Sequence, residues 1–314
     1  MSEPLILLCP GQGAQAVGMG KAWADGAPEA RKVFADADAI LGDRLGAKLS
    51  DLCFTGPVER LNQTDAAQPA LFVAAVASWK SLLAAWGFGN GESGVVAAAG
   101  LSLGEYTALH LGGVFSFKDA LELVSLRGRA MQDAAQAQPS GMVALVGADE
   151  AQAEAVCAAA RGSDVLVTAN FNAPGQVVLS GHKAACERAA KAAADAGLRA
   201  QPLAVAGAFH SPLMAPAADR LAAALARVEL KPPKFPILSN VTAAPHDPAP
   251  ESIRRRLVEQ LTLPVRWAQG CLWLVANAQG RYHELAPGKT LAGLFKRIDR
   301  SIKVESHDTP TQPA

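Results

Sequence analysis

The chain has 314 residues, of which 50% are hydrophobic and 18% are charged. A chain of this length and composition buries a sizeable core, as one large domain or as a domain with a smaller inserted one. Its 29 basic and 29 acidic residues cancel, so the formal net charge is zero. Proteins that bind nucleic acid through its phosphates normally carry a basic excess, so no nucleic-acid partner is expected.

The five cysteines are dispersed and form no Cys-x-x-Cys pair. This set predicts neither a disulfide framework nor a structural zinc site, and it is typical of a reducing compartment. The N-terminal apolar run is short and lacks a basic segment before it, so no signal peptide is expected. No stretch approaches the roughly 20 apolar residues of a membrane span. We therefore expect a cytoplasmic protein without a membrane partner.

The first part of the chain alternates short apolar strands with longer helical segments. The pattern predicts strands at Leu5–Cys9 and 95–99 and a loop at Asn62–Ala67. It predicts helices at Ala27–Leu41, Pro69–Trp86 and Phe117–Ala134, and a further helix that runs from the turn after residue 100 to about Leu111. Such alternation indicates an α/β architecture with a largely parallel sheet.

The pattern changes near residue 138. It then predicts strand Met142–Val146, helix 149–160, strands 164–170 and Gln176–Ser180, helix 182–196 and strand Ala200–Val205. This β-α-β-β-α-β order is typical of a ferredoxin-like unit. We expect residues 138–206 to form a small subdomain inserted into a core made of residues 1–137 and 207–305.

After the inserted unit the pattern returns to that of the core. It predicts helix 213–228, strand Pro236–Asn240 and helices 251–261 and 267–277. The polar, proline-containing tail, 306–314, is expected to be disordered.

The segment Gly100–Gly104, Gly-Leu-Ser-Leu-Gly, places a serine between a predicted strand and a predicted helix. In such a turn the glycines allow close packing, and Ser102 is held where a substrate reaches it. The amide of Leu103, which opens the helix, would face a developing oxyanion. A plain strand-to-helix turn remains an alternative, because chance matches are common in a chain with 28 glycines.

A serine nucleophile needs a base, and the chain has six histidines. His210 is favoured because its loop returns from the inserted subdomain to the core, where a cleft is expected. His283, at a predicted strand end, remains a weaker alternative. The others are expected to be packing residues or bystanders: His110, His182, His246 and His307.

Two further features have more than one interpretation. The turn Pro10–Gln15 matches no nucleotide-binding fingerprint, but its amides would supply a second oxyanion donor, as an early loop does in serine hydrolases. Arg127 lies on a predicted helix, either as a solvated side chain or as a guanidinium that pairs with a substrate carboxylate.

Several motifs occur together in this chain: PGQGAQAVGMG at 10–20, GLSLGEYTAL at 100–109, RGRAMQ at 127–132, NFNAPGQVVLSG at 170–181, GAFHSPLM at 207–214, QLTLPVRW at 260–267 and ELAPGKTLAGLFKRI at 284–298. In these motifs and their order the chain resembles the malonyl-CoA:acyl carrier protein transacylases of fatty acid synthesis, which are related to polyketide synthase acyltransferases. The resemblance implies an α/β-hydrolase-like core with the inserted ferredoxin-like subdomain.

The resemblance also implies an activity. A malonyl group would pass by a ping-pong mechanism from malonyl-CoA to Ser102, and from there to the phosphopantetheine thiol of acyl carrier protein. The enzyme would be a cytoplasmic monomer with no cofactor of its own and no metal.

Residue by residue, the resemblance makes Ser102 the nucleophile and His210 its general base. The main-chain carbonyl of Gln260 would orient the imidazole, and the amides of Gln12 and Leu103 would form the oxyanion hole.

The same resemblance assigns the acyl pocket. Arg127 would hold the malonyl carboxylate, Phe209 matches the malonyl-selective form, and Asn170 would line the pocket. The chain departs from the family at Leu101, where a histidine that contacts substrate is usual. The leucine makes one side of the pocket more apolar and puts acyl selectivity in question, but not the reaction class.

Three alternatives remain at this point. A serine thioesterase or esterase would use the same turn. Such hydrolases place an Asp or Glu between Ser and His in chain order, whereas here the inserted subdomain occupies most of residues 103–209. A discrete polyketide-pathway acyltransferase would share every motif. A non-catalytic docking protein would have no need for Ser102, His210 and Arg127 together.

Overall fold

The structure is a computed structural model that describes residues 3–87 and 94–310. Within these ranges the strands are β1 Leu5–Cys9, β2 Val95–Gly100, β3 Ser140–Val146, β4 Leu166–Ala173, β5 Gln176–His182, β6 Arg199–Pro202, β7 Arg281–Leu285 and β8 Val304–His307. The helices are α1 Lys21–Gly26, α2 Pro28–Leu41, α3 Leu49–Thr55, α4 Val58–Leu61, α5 Thr64–Ala85, α6 Leu103–Leu111, α7 Phe117–Gln136, α8 Glu150–Arg161, α9 Lys183–Asp195, α10 Ala215–Leu225, α11 Pro250–Glu259, α12 Trp267–Asn277 and α13 Thr290–Ile298. The architecture is therefore α/β, as predicted.

The larger sheet has the order β2-β1-β7-β8, and its neighbouring strands are parallel. Every residue of β1 is buried, as expected for a strand that is covered on both faces. Cys9 pairs with Gly100, so β1 and β2 end side by side. Ligands of open α/β sheets bind beyond such carboxyl ends, and the loops after both strands carry predicted site residues.

The predicted strand Pro236–Asn240 forms isolated bridges rather than a full strand. Ile237 bridges Ala98 in parallel, and Leu238 bridges Pro245. The segment therefore runs beside β2, and Asn240 lies at the same edge as the turn that follows β2.

The smaller sheet has the order β4-β5-β3-β6, with antiparallel neighbours throughout. Its elements follow one another along the chain as strand, helix, strand, strand, helix, strand. Alanines of α8 and α9 pack on one face around a hydrophobic cluster of their own. A parallel bridge between Asn170 and Val265 joins this sheet to the segment before α12.

Helix α5 begins one turn earlier than predicted, so the loop assigned to Asn62–Ala67 is wrong from Thr64 onward. Proline favours the first turn of a helix, which is why the sequence pattern placed the start at Pro69. This helix is also long and apolar enough to cross a membrane by length and composition alone, contrary to the expectation that no stretch approaches that limit. Since 89% of the window is buried inside the protein, α5 has the burial of a core helix.

The expectation that residues 306–314 are disordered is wrong for residues 306–310. Strand β8 extends to His307, which pairs with Leu285 of β7 and is 1% exposed. Trp23 Nε1 donates a hydrogen bond to the His307 carbonyl oxygen at 3.1 Å. A short polar strand carries no hydrophobic alternation, so the sequence pattern did not indicate it. Residues 311–314 lie outside the described residues.

Candidate active site

The turn after β2 holds Ser102 in a strained conformation. Its φ is 52° and its ψ is −101°, in a region that non-glycine residues rarely adopt. Close approach explains the flanking glycines: a Cβ atom on Gly100 would lie 1.9 Å from Gly104 C, and one on Gly104 would lie 2.0 Å from Cys9 O. The turn therefore accepts no side chain at either position, and strand and helix pack directly against each other.

Asn240 fixes this turn from the neighbouring segment. Its Oδ1 accepts a hydrogen bond from Ser102 N at 2.6 Å, and its Nδ2 donates to Gly100 O at 2.7 Å. Sequence reasoning missed Asn240, although its position at the end of a predicted strand would have been a usable signal, because strand ends meet at the sheet edge.

His210 is positioned to act as the base of Ser102. The His210 Nε2 atom lies 2.8 Å from Ser102 Oγ, and Nδ1 lies 2.7 Å from the main-chain oxygen of Gln260. Because a carbonyl oxygen can only accept, Nδ1 carries the proton and Nε2 is free to accept the hydroxyl proton. Burial, with a smaller contribution from the Arg127 charge, lowers the His210 pKa to about 4. The imidazole is therefore neutral at neutral pH, as a base must be.

Arg127 is a buried cation rather than a solvated helix residue. It is 1% exposed. Its Nη1 donates to Gln68 Oε1 at 2.6 Å, and its Nη2 donates to Gln260 Oε1 at 2.9 Å and to Ser102 Oγ at 3.1 Å. In the described part of the chain none of these partners is a carboxylate, and Nε has no partner. Burial lowers the Arg127 pKa, so this site favours an anionic ligand that compensates the charge.

A cavity of about 280 Å³ connects these groups. Among the residues that line it are most of those predicted for the site: Gln12, Leu101, Ser102, Leu103, Arg127, Asn170, Phe209 and His210. Gln260 does not line the cavity and lies behind His210 and Arg127, which it contacts. A larger groove of about 540 Å³ lies between α2, α7 and α10, and none of the predicted site residues lines it.

Gln12 and Leu103 follow β1 and the serine turn, respectively. Among residues 3–87 and 94–310, neither main-chain N–H is donated to another protein group, and the Gln12 side chain donates to Thr64 Oγ1 at 3.2 Å. Both amides are therefore available to a ligand.

The pocket walls are mostly apolar. Leu101 packs on the hydrophobic cluster that includes Ala99 and Val265. Phe209 is buried, and its carbonyl accepts a hydrogen bond from Ser180 Oγ at 2.6 Å, which holds the loop before His210. Asn170 is 9% exposed and adds an amide to the wall.

The remaining histidines do not line the cavity. His283 lies inside β7, with its Nδ1 2.9 Å from His307 Nε2, so it is not an alternative base for Ser102. His110 packs against Phe72, as expected of a packing residue. His246 was expected to be a bystander in a polar loop, but it is 7% exposed and its Nε2 lies 2.7 Å from Glu105 Oε1.

One group of potential metal ligands occurs in the described ranges. His283, Glu305 and His307 bring ligand atoms within 4.8 Å of one another. A metal-bound histidine normally donates its other ring N–H to a partner. Here His283 Nε2 and His307 Nδ1 are buried without one, so the group fits a metal poorly. The absence of a metal stays a prediction.

Comparisons with known proteins identify the family of the chain. The family model of the acyl transferase domain matches residues 6–306. The malonyl CoA-acyl carrier protein transacylase of Salmonella typhimurium is 41% identical over 302 residues, covering 96% of this chain and 94% of the relative. The transacylase of the same name from Bacillus subtilis is 38% identical over 312 residues, covering 98% and 94%.

Solved structures give the same result. The malonyl-CoA:acyl carrier protein transacylase of Xanthomonas oryzae superposes with a TM-score of 0.91 at 43% identity, covering 98% of this chain and 96% of that one. A malonyl-transacylase in complex with a type II PKS acyl-carrier protein superposes with a TM-score of 0.90 at 39% identity, covering 98% and 97%. A family match over nearly the whole chain, together with the Ser102–His210 pair in the cavity, shows that the chain belongs to the acyl transferase domain family.

Proposed function

We propose that this protein transfers a malonyl group from malonyl-CoA to the phosphopantetheine thiol of an acyl carrier protein. The observation that carries the proposal is the buried Arg127 guanidinium, 3.1 Å from Ser102 Oγ. A serine–histidine pair alone serves many acyl groups, whereas a buried cation beside it selects an acyl group with a free carboxylate. The relatives named malonyl CoA-acyl carrier protein transacylase support the same substrate.

In the first half-reaction Ser102 Oγ attacks the thioester carbonyl while His210 Nε2 accepts the hydroxyl proton. The amides of Gln12 and Leu103 bind the oxyanion. When the intermediate collapses, His210 returns the proton to the sulfur of CoA, which leaves as a thiol. The product is a malonyl ester on Ser102.

In the second half-reaction the carrier's thiol occupies the place that CoA has left. His210 accepts the thiol proton, the sulfur attacks the ester carbonyl, and Ser102 leaves with the proton returned to it. Because both thiols end the same phosphopantetheine arm, one cavity serves first the acyl donor, malonyl-CoA, and then the acyl acceptor, the carrier thiol.

Arg127 holds the malonyl carboxylate throughout this sequence. A charge-assisted pair of this kind contributes about 1.5–3 kcal/mol, which is about a ten- to hundred-fold preference over an acetyl group. Phe209 and Asn170 complete the acyl pocket, and Leu101 makes the wall beside Ser102 apolar where the family usually has a histidine.

We infer a division of the chain into a core and an inserted subdomain, and a cytoplasmic location. An α/β-hydrolase-like core comprises residues 1–137 and continues from 207 through β8, and residues 138–206 form a ferredoxin-like subdomain. The antiparallel order β4-β5-β3-β6 supports the second part. The protein acts as a cytoplasmic monomer that needs no cofactor.

The pathway we propose is fatty acid synthesis. A discrete polyketide-pathway acyltransferase is the second candidate, because a structural relative at 39% identity is a malonyl-transacylase in complex with a type II PKS acyl-carrier protein. Transfer rates to carrier proteins of the two pathways, measured side by side, distinguish these candidates.

A transfer assay tests the proposal against a thioesterase. The protein is incubated with malonyl-CoA and a holo acyl carrier protein, and both free CoA and malonyl-carrier are measured. We expect one malonyl-carrier for each CoA released. Release of CoA into water without malonyl-carrier would establish a hydrolase instead.

A further inference from the structure

A buried carboxylate lies beneath the serine turn. Glu105, in the first turn of α6, is 0% exposed and does not line the cavity. Its Oε2 accepts hydrogen bonds from Gln260 Nε2 at 2.6 Å and from Asn240 N at 3.0 Å. Its Oε1 accepts from His246 Nε2 at 2.7 Å. One carboxylate therefore joins three separate segments of the chain behind the active site.

The contact with Glu105 sets the orientation of the Gln260 side-chain amide. Gln260 Nε2 donates to Glu105 and also to Ser102 O at 3.0 Å, so both amide protons are used. Oε1 must then face the other way, and it accepts from Arg127 Nη2 at 2.9 Å. If the amide rotated by half a turn, an NH₂ group would face the guanidinium and Oε1 would face a carboxylate. Both contacts would be repulsive.

The hydrogen-bond partners of Glu105 are donors. An amide NH₂, a main-chain N–H and an imidazole nitrogen face its two oxygens. The Nδ1 atom of His246 is buried without a partner in the described ranges, so Nε2 is the ring nitrogen that this imidazole uses. The Glu105 carboxylate therefore lies one amide group away from Arg127.

We propose that Glu105 is a positioning residue for acyl-group selection. Its carboxylate holds the Gln260 amide so that Oε1 aligns the Arg127 guanidinium for the malonyl carboxylate. The assignment rests on the proposed malonyl transfer. Glu105 touches neither the acyl group nor the thiol, and it acts only through Gln260.

The test is the ratio of kcat/KM for malonyl-CoA to that for acetyl-CoA, measured as acylation of Ser102. The ratio is independent of how much enzyme is folded, so a merely structural defect does not move it. In Glu105→Gln the carboxylate charge is lost, and we expect the ratio to fall about ten-fold. Gln260→Leu removes the side-chain amide that lies between Glu105 and Arg127 but keeps the main-chain oxygen that His210 needs. We expect a similar fall in the ratio. If Glu105→Gln does not fold, Glu105→Asp decides the matter, because the shorter side chain withdraws the carboxylate from Gln260 Nε2 and should also lower the ratio.

Glu284 provides a matched control. It is also 0% exposed and accepts three hydrogen bonds, from Leu291 N, Ala292 N and Ser306 Oγ, but it lies away from the cavity. Glu284→Gln should leave the ratio at the wild-type value. An unchanged ratio in Glu105→Gln or in Gln260→Leu, or an equal fall in Glu284→Gln, overturns the assignment. A wild-type enzyme without malonyl preference overturns the proposed function itself, and that outcome is visible before any variant is made.

Discussion

The Nη2 atom of Arg127 lies 3.1 Å from the Oγ atom of Ser102. The group proposed to bind the free carboxylate and the proposed nucleophile therefore lie in one site. The guanidinium donates to the Ser102 hydroxyl oxygen itself, and an incoming malonyl carboxylate would compete for that donor. In the proposed mechanism a single side chain, Arg127, therefore contacts both the nucleophile and the acyl carboxylate.

Replacing Arg127 with alanine should lower the preference for malonyl-CoA over acetyl-CoA by about ten- to hundred-fold, because the charge-assisted pair with the carboxylate is lost. The measurement is kcat/KM for each donor. Arg129→Ala is the matched control, since that side chain is 63% exposed and pairs with Asp133 on the same helix. Equal losses for both donors in Arg127→Ala would show that the carboxylate binds elsewhere.

The pH dependence of acylation should report His210. The neutral imidazole is the active form and its pKa is about 4, so the rate is retained as the pH falls from 7 to 5 and is lost as it falls through about 4. The Arg127 charge is one of the causes that lower this pKa. In Arg127→Gln the loss of acylation rate at low pH should therefore begin at a higher pH. Acetyl-CoA is the donor for both proteins, so that no carboxylate compensates the arginine. A loss of rate that begins at the same pH, or at a lower pH, contradicts this account.

Asn240→Ala should destabilise the protein and slow acylation, because two hydrogen bonds that hold the strained Ser102 turn are lost, one of them fully buried. We expect a loss of about 2–4 kcal/mol in the free energy of unfolding, measured by denaturant titration. Asn277→Ala is the control, because the exposed Asn277 side chain donates to Trp273 O within its own helix and, in the described ranges, to no other group. Similar losses of unfolding free energy in the two variants would mean that the Asn240 hydrogen bonds do not specifically stabilise the Ser102 turn.

The partly buried imidazole of His110 should make the fold sensitive to acid. Burial lowers the His110 pKa from its ordinary value of 6.5 to about 4. Between those values the unfolded chain binds a proton that the folded protein does not, so stability falls as the pH falls. His110→Phe should remove about 2 kcal/mol of the difference in unfolding free energy between pH 7.5 and pH 5. Phe117→Leu, in the same aromatic cluster, should lower stability equally at both pH values. An unchanged pH dependence in His110→Phe would contradict the prediction.

The sequence predicted the elements that carry strong local patterns. The apolar run of β1 and the helix at 267–277 were placed at their observed bounds, because buried strands and long helices have characteristic hydrophobic spacing. The serine turn and the His210 loop were found from local motifs. Strand β8 was missed, because a short polar edge strand depends on its partner rather than on its own pattern.

The polar framework of the site could not be predicted in the same way. Asn240 and Glu105 lie 135 positions apart, and Arg127 and Gln68 lie 59 positions apart. A glutamate in the first turn of a helix is typical of an exposed position, and nothing local shows that Glu105 is buried under the nucleophile. Only the packing of distant segments reveals these contacts.

The most direct test of the central claim is a competition for Ser102, read by intact-protein mass. The protein is mixed briefly with equal concentrations of malonyl-CoA and acetyl-CoA and then quenched with acid. On the wild-type protein we predict one acyl group per molecule, which is malonyl in most molecules. On Ser102→Ala we predict no adduct. A predominantly acetyl adduct, or a malonyl adduct that persists in Ser102→Ala, would contradict the account.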